Sequence, residues 1–367
     1  MVIMALDHTR DYFTNVSFDP LDLTQTSPAL FLTRWITHFC APVFVFLAGT
    51  SAFLSLSKRK HKEAAWILFT RGLWLIIVEL VIINWSWTFE INFSNYFVQV
   101  IWAIGCSMIV LSALVFLKPM YVGIIGLLII FSHNLLDGFT SSDFGSFGFV
   151  WKILHEKGFI PMGNNGGLFV AYPILPWIGT MAAGFAFGQL YRFPFEQRIK
   201  SLLILGASCF GVFLILRGFN IYGDPNQWSV QNTWWKTIFN FVDCRKYPPS
   251  LLYLLMTIGP AFWVLAILEK INNKATDFFK VFGSVPFFYY LLHVPLIHLL
   301  AVATAYFGNY SSFSLFGQNL FAPNPNWGFH LGIVYLVWVI VVAILYYPSR
   351  WFMKIKKKQK NWWLSYL

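Results

Sequence analysis

Asp7-His8-Thr9-Arg10-Asp11 sets an imidazole, a guanidinium and two carboxylates at the end of an apolar stretch. An imidazole beside a carboxylate moves protons near neutral pH, and charge at membrane depth marks a pathway or a reaction site. His8 is therefore the candidate base, with Asp7 or Asp11 to orient or tune it. Arg34 and His38 are four apart and share one helix face, as do His133 and Asp137, with Asn134 beside them. Both pairs are candidate substrate ligands. Arg34 fits an ion pair with Asp7 or Asp11 equally well, and His133 with Asp137 equally fits a capped helix end. His293 and His298, five apart, turn to different faces, which argues against joint metal ligation, and His293 is expected to face a bundle interior. Glu79 lies in the apolar run Leu75-Ile76-Ile77-Val78-Glu79-Leu80 and must be protonated or partnered, with His293 and Arg217 as candidates. His61, His155 and His330 fall near loops and are expected to be incidental.

The elements that position these residues belong to a membrane. Of the 367 residues 57% are hydrophobic, 20% aromatic and only 11% charged, too little polar surface to cover a soluble globule of this size. Apolar runs of about 20 residues, the length needed to span, lie at 31–57, 64–86, 96–117, 119–135, 168–190, 200–219, 249–268, 281–303 and 329–348. With the start, 1–14, as the outer half of another, the expectation is an all-α polytopic transmembrane bundle of about ten helices. Only six residues precede Asp7, so the first helix is expected to be truncated, with an amino-terminal segment missing; no basic n-region or small-residue cleavage site marks a signal peptide.

Every second span opens into a basic segment: Lys58, Arg59, Lys60 and Lys62; Lys118; Arg192, Arg198 and Lys200; Lys270, Lys274 and Lys280; Lys354, Lys356, Lys357, Lys358 and Lys360. The connections at 87–95 and 304–328 hold neither lysine nor arginine. Both termini are thus expected in the cytoplasm, and the net charge of +11 is largely topogenic, giving no reason to expect nucleic acid. Cys40, Cys106 and Cys209 fall in apolar helices and Cys244 in an outer loop, without CxxC spacing, so no metal site is expected. No repeat or linker divides the chain, which reads as one membrane domain, 1–367. The outer loops 136–167, with Gly163-Asn164-Asn165-Gly166-Gly167, and 220–248, polar and tryptophan-rich, are candidate surfaces for a polar substrate. Trp85, Trp87, Trp234 and Trp235 fall at outer boundaries, where indoles prefer to sit.

Four stretches in order, Met4-Ala5-Leu6-Asp7-His8-Thr9-Arg10-Asp11-Tyr12-Phe13, Pro42-Val43-Phe44-Val45-Phe46-Leu47-Ala48-Gly49, Lys246-Tyr247-Pro248-Pro249-Ser250-Leu251 and Tyr290-Leu291-Leu292-His293, resemble the bacterial relatives of the heparan-alpha-glucosaminide N-acetyltransferase catalytic domain. That family is grouped with the acyltransferase-3 proteins. The resemblance implies O- or N-transfer of an acetyl or other acyl group from cytoplasmic acyl-CoA to a carbohydrate or glycolipid acceptor on the far side of a bilayer, in the inner membrane of a bacterium. It also leaves a homodimer open.

His8 matches the first-helix histidine that acyltransferase-3 proteins use as base. Phe44-Val45-Phe46-Leu47-Ala48-Gly49 resembles their FFxLSG-like turn, and Arg71 stands where they carry an arginine, although the doubled arginine is absent and Leu68 stands three before. Acyl transfer needs a base, an oxyanion donor and cations for the CoA phosphates. Arg71, with Lys58 and Arg59 in the adjacent basic loop, is expected to hold those phosphates, though the lysines also read as ordinary positive-inside anchors. Direct attack and an acyl-histidine intermediate both remain open. Outside this class, a transporter or flippase would also carry ionisable residues within the bundle.

Overall fold

The computed structural model describes residues 1–91, 94–163, 166–308 and 327–359, and the single positions 315, 364 and 366. Asn164, Asn165, Lys360 and most of the lysine-free connection 304–328 lie outside the described residues. In chain order the elements are α1 (Val2–Phe13), α2 (Pro28–Thr37), α3 (Cys40–Leu56), α4 (His61–Val78), α5 (Asn84–Thr88), β1 (Asn95–Val98), α6 (Val100–Leu114), α7 (Pro119–Ser132), α8 (Gly148–Leu154), β2 (Gly158–Met162), β3 (Gly166–Val170), α9 (Leu175–Phe187), α10 (Phe195–Gly218), α11 (Trp234–Val242), α12 (Leu251–Leu268), α13 (Lys274–Ser284), α14 (Pro286–Phe307) and α15 (Leu331–Lys358). Seven helical runs are long and apolar enough to cross a membrane: Pro28–Leu56, His61–Thr88, Pro119–Leu136, Phe195–Gly218, Leu251–Leu268, Pro286–Phe307 and Leu331–Lys358. The chain is an all-α polytopic membrane protein.

Local chemistry sets the helix ends. Ser27 accepts a hydrogen bond from the Leu30 amide and Pro28 follows at the first helical position; Ser250 caps α12 through the Tyr253 amide. Pro119 and Pro286 open α7 and α14 in the same way. Between α2 and α3 the run breaks at His38-Phe39. Pro42 has no N–H to offer residue 38, and its ring crowds that turn.

Two of the expected spans are shorter than the apolar pattern. Residues 96–98 and 168–170 pair as parallel strands, β1 on β3, with β2 antiparallel on the other side of β3. Only Val100–Leu114 and Leu175–Phe187 of those two runs are α-helical. The reason is local: Tyr96, Phe97, Val98, Leu168, Phe169 and Val170 suit a strand as well as they suit lipid. Gly166 also admits the close approach, since a Cβ there would lie 2.1 Å from the Ser94 carbonyl oxygen.

Contacts gather the chain into two compact units. The first comprises Met1–Cys40, Val81–Phe93 and Ile271–Leu367. In it α1 packs against α2, α14 and α15, and α5 against α14. Met4, Ala5, Leu6, Tyr12 and Phe13 of α1 are buried, and Trp338 of α15 donates its indole N–H to the Val2 carbonyl.

The second unit comprises Ala41–Leu80 and Ser94–Lys270, built on the pairs α4 with α6, α7 with α9 and α10 with α12. Helices α4 and α6 cross backbone to backbone at Gly72 and Gly105: a Cβ on either glycine would come within 2.6 or 2.7 Å of the other's carbonyl oxygen. Glu79, fully buried where α4 passes into a π-helical turn, accepts the Gln99 amide at 2.8 Å at the start of α6. Its partner is thus the amino end of a helix, where backbone N–H groups need acceptors.

Candidate active site

Neighbouring residues on an α-helix point about 100° apart. Asp7 and His8 therefore face different helices. His8, 8% exposed, turns toward α14, where its Nδ1 lies 2.7 Å from His293 Nε2 and the two rings stack with centroids 4.9 Å apart. His293 is fully buried, and its own Nδ1 lies 2.8 Å from the Tyr290 carbonyl oxygen and 3.2 Å from that of Tyr289.

These contacts fix the tautomers. A carbonyl only accepts, so His293 Nδ1 carries the proton and neutral His293 presents the lone pair of Nε2. The facing nitrogen, His8 Nδ1, must then be the donor. His8 Nε2 keeps its lone pair and is the basic atom of the pair.

Aromatic walls enclose the two imidazoles. Trp87 meets the His8 ring edge-on at 4.9 Å, and Tyr12 stacks on Trp87 while donating its hydroxyl to the Trp87 carbonyl at 3.0 Å. Trp87 is 5% exposed, so it lines this site instead of anchoring the chain at a lipid interface as its position in the sequence implied. Tyr289 stacks on His293, and its buried hydroxyl has no hydrogen-bond partner among the described residues. His298 spans two backbone carbonyls, Ser86 at 3.0 Å and Leu315 at 2.7 Å, and is a structural clamp.

Asp7 faces α2. Arg34 Nη1 donates to both of its carboxylate oxygens, at 2.7 and 2.8 Å, and Arg10 Nη2 to one of them at 3.0 Å. Arg10 also donates to Asp11 at 2.6 Å. Arg34 thus forms the ion pair with Asp7. His38, at the end of α2, is 1% exposed.

In the second unit Arg71 is half-buried, while Lys58 and Arg59 are exposed and Arg59 pairs with Glu63. Helix α4 begins at His61, so its rise sets the Arg71 backbone about 15 Å along the axis from that end. His61 hydrogen-bonds the Val115 carbonyl at 2.7 Å, and His330 caps α15 through the Gly332 amide.

His133 is 1% exposed, with neither ring nitrogen hydrogen-bonded among the described residues, and packs edge-on to His155 at 5.6 Å. His155 is not incidental: it is 3% exposed and its Nε2 meets Asp137 at 3.0 Å. Asn134 donates to the same carboxylate at 2.7 Å and accepts the Leu251 amide at 2.9 Å. Burial by itself would raise the Asp137 carboxyl, but the hydrogen bonds from His155 and Asn134 and the charges of His155 and Arg245 outweigh it and hold the group below its usual range.

A carboxyl depressed on folding adds stability that is complete above its unfolded value near 4 and lost as pH falls through the folded value. Asp137→Asn should therefore lower the melting temperature at pH 6 and flatten its decline between pH 4 and 3. Parallel pH curves for variant and parent in thermal melts would remove Asp137 from this role.

Sequence reasoning reached His8 and His293 separately and missed their union. It also missed Trp87 and Tyr289 as walls, because an aromatic residue in a chain this rich in aromatics carries no signal until the helices are paired. A family model described as heparan-alpha-glucosaminide N-acetyltransferase, catalytic, matches residues 1–220. No curated protein matches the chain.

Proposed function

We propose a reaction from one premise: the chain belongs to the heparan-alpha-glucosaminide N-acetyltransferase catalytic family and is, at that level, a membrane acetyltransferase. The donor is acetyl-CoA or another acyl-CoA reached from the cytoplasm, and the acceptor is a sugar or similar molecule on the other side of a bacterial inner membrane. The basic connections set against the lysine-free ones at 87–95 and 304–328 support that sidedness, the long outer connections 136–167 and 220–248, which hold a few basic residues, being exempt from strict charge counting.

One observation carries the chemistry: His8 Nδ1 donates to His293 Nε2 at 2.7 Å, which leaves His8 Nε2 basic inside an aromatic enclosure. In the reaction His8 Nε2 takes the proton of the acceptor hydroxyl or amine as that atom attacks the thioester carbonyl. The carbon–sulfur bond breaks, and the proton passes from His8 to the departing sulfur, giving the acylated acceptor and free CoA thiol. The imidazolium formed in between is steadied by His293, whose Nε2 accepts from His8 Nδ1 while its Nδ1 donates to the Tyr290 carbonyl. Asp7 compensates Arg10 and Arg34 and so fixes α1 against α2. Tyr289 has the spare hydroxyl that a developing oxyanion requires. Arg34 and His38, in the same unit as His8, are polar groups offered to an acceptor.

Purified protein incubated with labelled acetyl-CoA and candidate sugars should release CoA thiol in step with labelled sugar. Sugar accumulation in vesicles without any acyl donor, and no thiol release with any acceptor, would replace this reading with a transporter. For Arg71, a cation that holds phosphate and takes no part in bond making, Arg71→Gln should raise KM for acetyl-CoA about tenfold and leave kcat within about threefold. An unchanged KM would return Arg71 to membrane anchoring.

A further inference from the structure

Two ammonium groups flank one phenol in the second unit. Lys246 Nζ lies 5.2 Å from the Tyr247 ring centroid and Lys157 Nζ 5.3 Å from it. Neither lysine forms an ion pair among the described residues. Lys246 is only 8% exposed, and a buried ammonium without a counter-charge is costly, only partly offset by an aromatic face.

Three carboxylates of this unit have other partners. Asp224 accepts from the Ser250 hydroxyl and from the Arg245 and Asn226 amides, through one oxygen or the other. Glu156 accepts from Ser141, and Asp137 from His155 and Asn134. Among the described residues, the fold thus sets two ammonium groups at Tyr247, Lys246 nearly buried and Lys157 exposed, with no ion pair to either.

The pair is held in place. Asp224 ties down the backbone at Arg245 and the Ser250 side chain on either side of Lys246-Tyr247, and Lys246 bridges Pro249. Lys157 also lies over Phe169 of β3, at 5.8 Å. The Tyr247 hydroxyl stands 3.5 Å from that of Tyr172, which packs on Trp177 at 5.4 Å; the Trp177 indole N–H is fully buried with no acceptor among the described residues. Two cations, two phenol hydroxyls and an aromatic face together suit a phosphate or carboxylate carried on a sugar-like ring.

We propose that Lys246, Lys157 and Tyr247 form a binding site for the anionic group of a charged sugar, a sugar phosphate or a uronate.

The test measures binding of glucose 6-phosphate, glucuronate and neutral glucose to the purified full chain in neutral detergent. Both anionic sugars should bind at least about tenfold more tightly than glucose at low salt, a factor worth about 1.4 kcal/mol, and the preference should shrink as salt rises. Lys246→Gln and Lys157→Gln should each cut it to about threefold or less, while Lys246→Arg keeps it and reports that the fold survives. Equal affinity for glucose, or a preference untouched in both glutamine variants, overturns the proposal. So does displacement of both anionic sugars by CoA, which would assign the lysines to the donor phosphates. The anion preference should be the same whether or not the protein transfers acyl groups, so a failed binding test sinks this site and leaves the acyltransferase reading standing.

Discussion

His8→Asn is expected to lower acyl transfer by at least about 10²–10⁴, the usual contribution of a positioned general base, with little change in melting temperature. Asparagine places an amide N–H near the position of Nδ1, so the bond to His293 Nε2 can persist while the basic Nε2 is gone. That choice separates chemistry from packing. His8→Ala loses the same base but also opens space against Trp87 and His293, in a site where His8 is only 8% exposed. His293 divides the roles further. In His293→Gln the side-chain oxygen can still accept from His8 Nδ1, so the tautomer is kept and transfer should fall only severalfold. In His293→Ala nothing fixes the tautomer, and the loss should approach that of His8→Asn, with the pH profile of kcat/KM shifted as well. Full activity in His8→Asn would remove the imidazole from the mechanism, and equal losses in both His293 variants would make His293 structural.

The membrane class of the fold was legible because an apolar run needs no partner to be read. The strands at 95–98 and 166–170 were not legible, since their valine, leucine and phenylalanine residues match a lipid-facing helix in composition. At the site, the sequence placed Asp7 beside His8 because they are adjacent in the chain, whereas helical rotation sends Asp7 to Arg34 and His8 to His293. The partner of His8 is 285 positions away. No local spacing encodes such a contact; it follows from α1 packing on both α2 and α14. Glu79 was recognised as needing a partner, but the acceptor-seeking amides at the start of α6 belong to the backbone and have no letter in a sequence.

Arg217→Ala should be the most destabilising single change in the second unit. Arg217 sits in the last turn of α10, 1% exposed, and its guanidinium donates to four backbone carbonyls: Phe241, Asn240 and Asp243, each at 2.9 Å, and Asn226. Its own carbonyl accepts the Trp228 indole N–H at 2.7 Å. One side chain thus gathers the long connection between α10 and α12, including α11, onto a helix end. Each buried acceptor left without a donor costs about 1–3 kcal/mol, so even with water entering at some of them the loss should reach on the order of 5 kcal/mol. Lysine cannot rescue it, because one ammonium on a flexible stem cannot reproduce a planar fork that reaches four directions at once. Thermal unfolding in detergent should show a large drop for both variants, and limited proteolysis should cut the 219–250 connection in each while α10 and α12 stay intact. The same connection carries Asp224, Lys246 and Tyr247, so the preference for charged sugars should vanish with it, whereas His8, in the other unit, keeps its hydrogen bond to His293. A melting temperature within about 2 °C of the parent, less than 1 kcal/mol would produce, would mean that the four carbonyls find water without cost and that Arg217 is not the anchor of this loop.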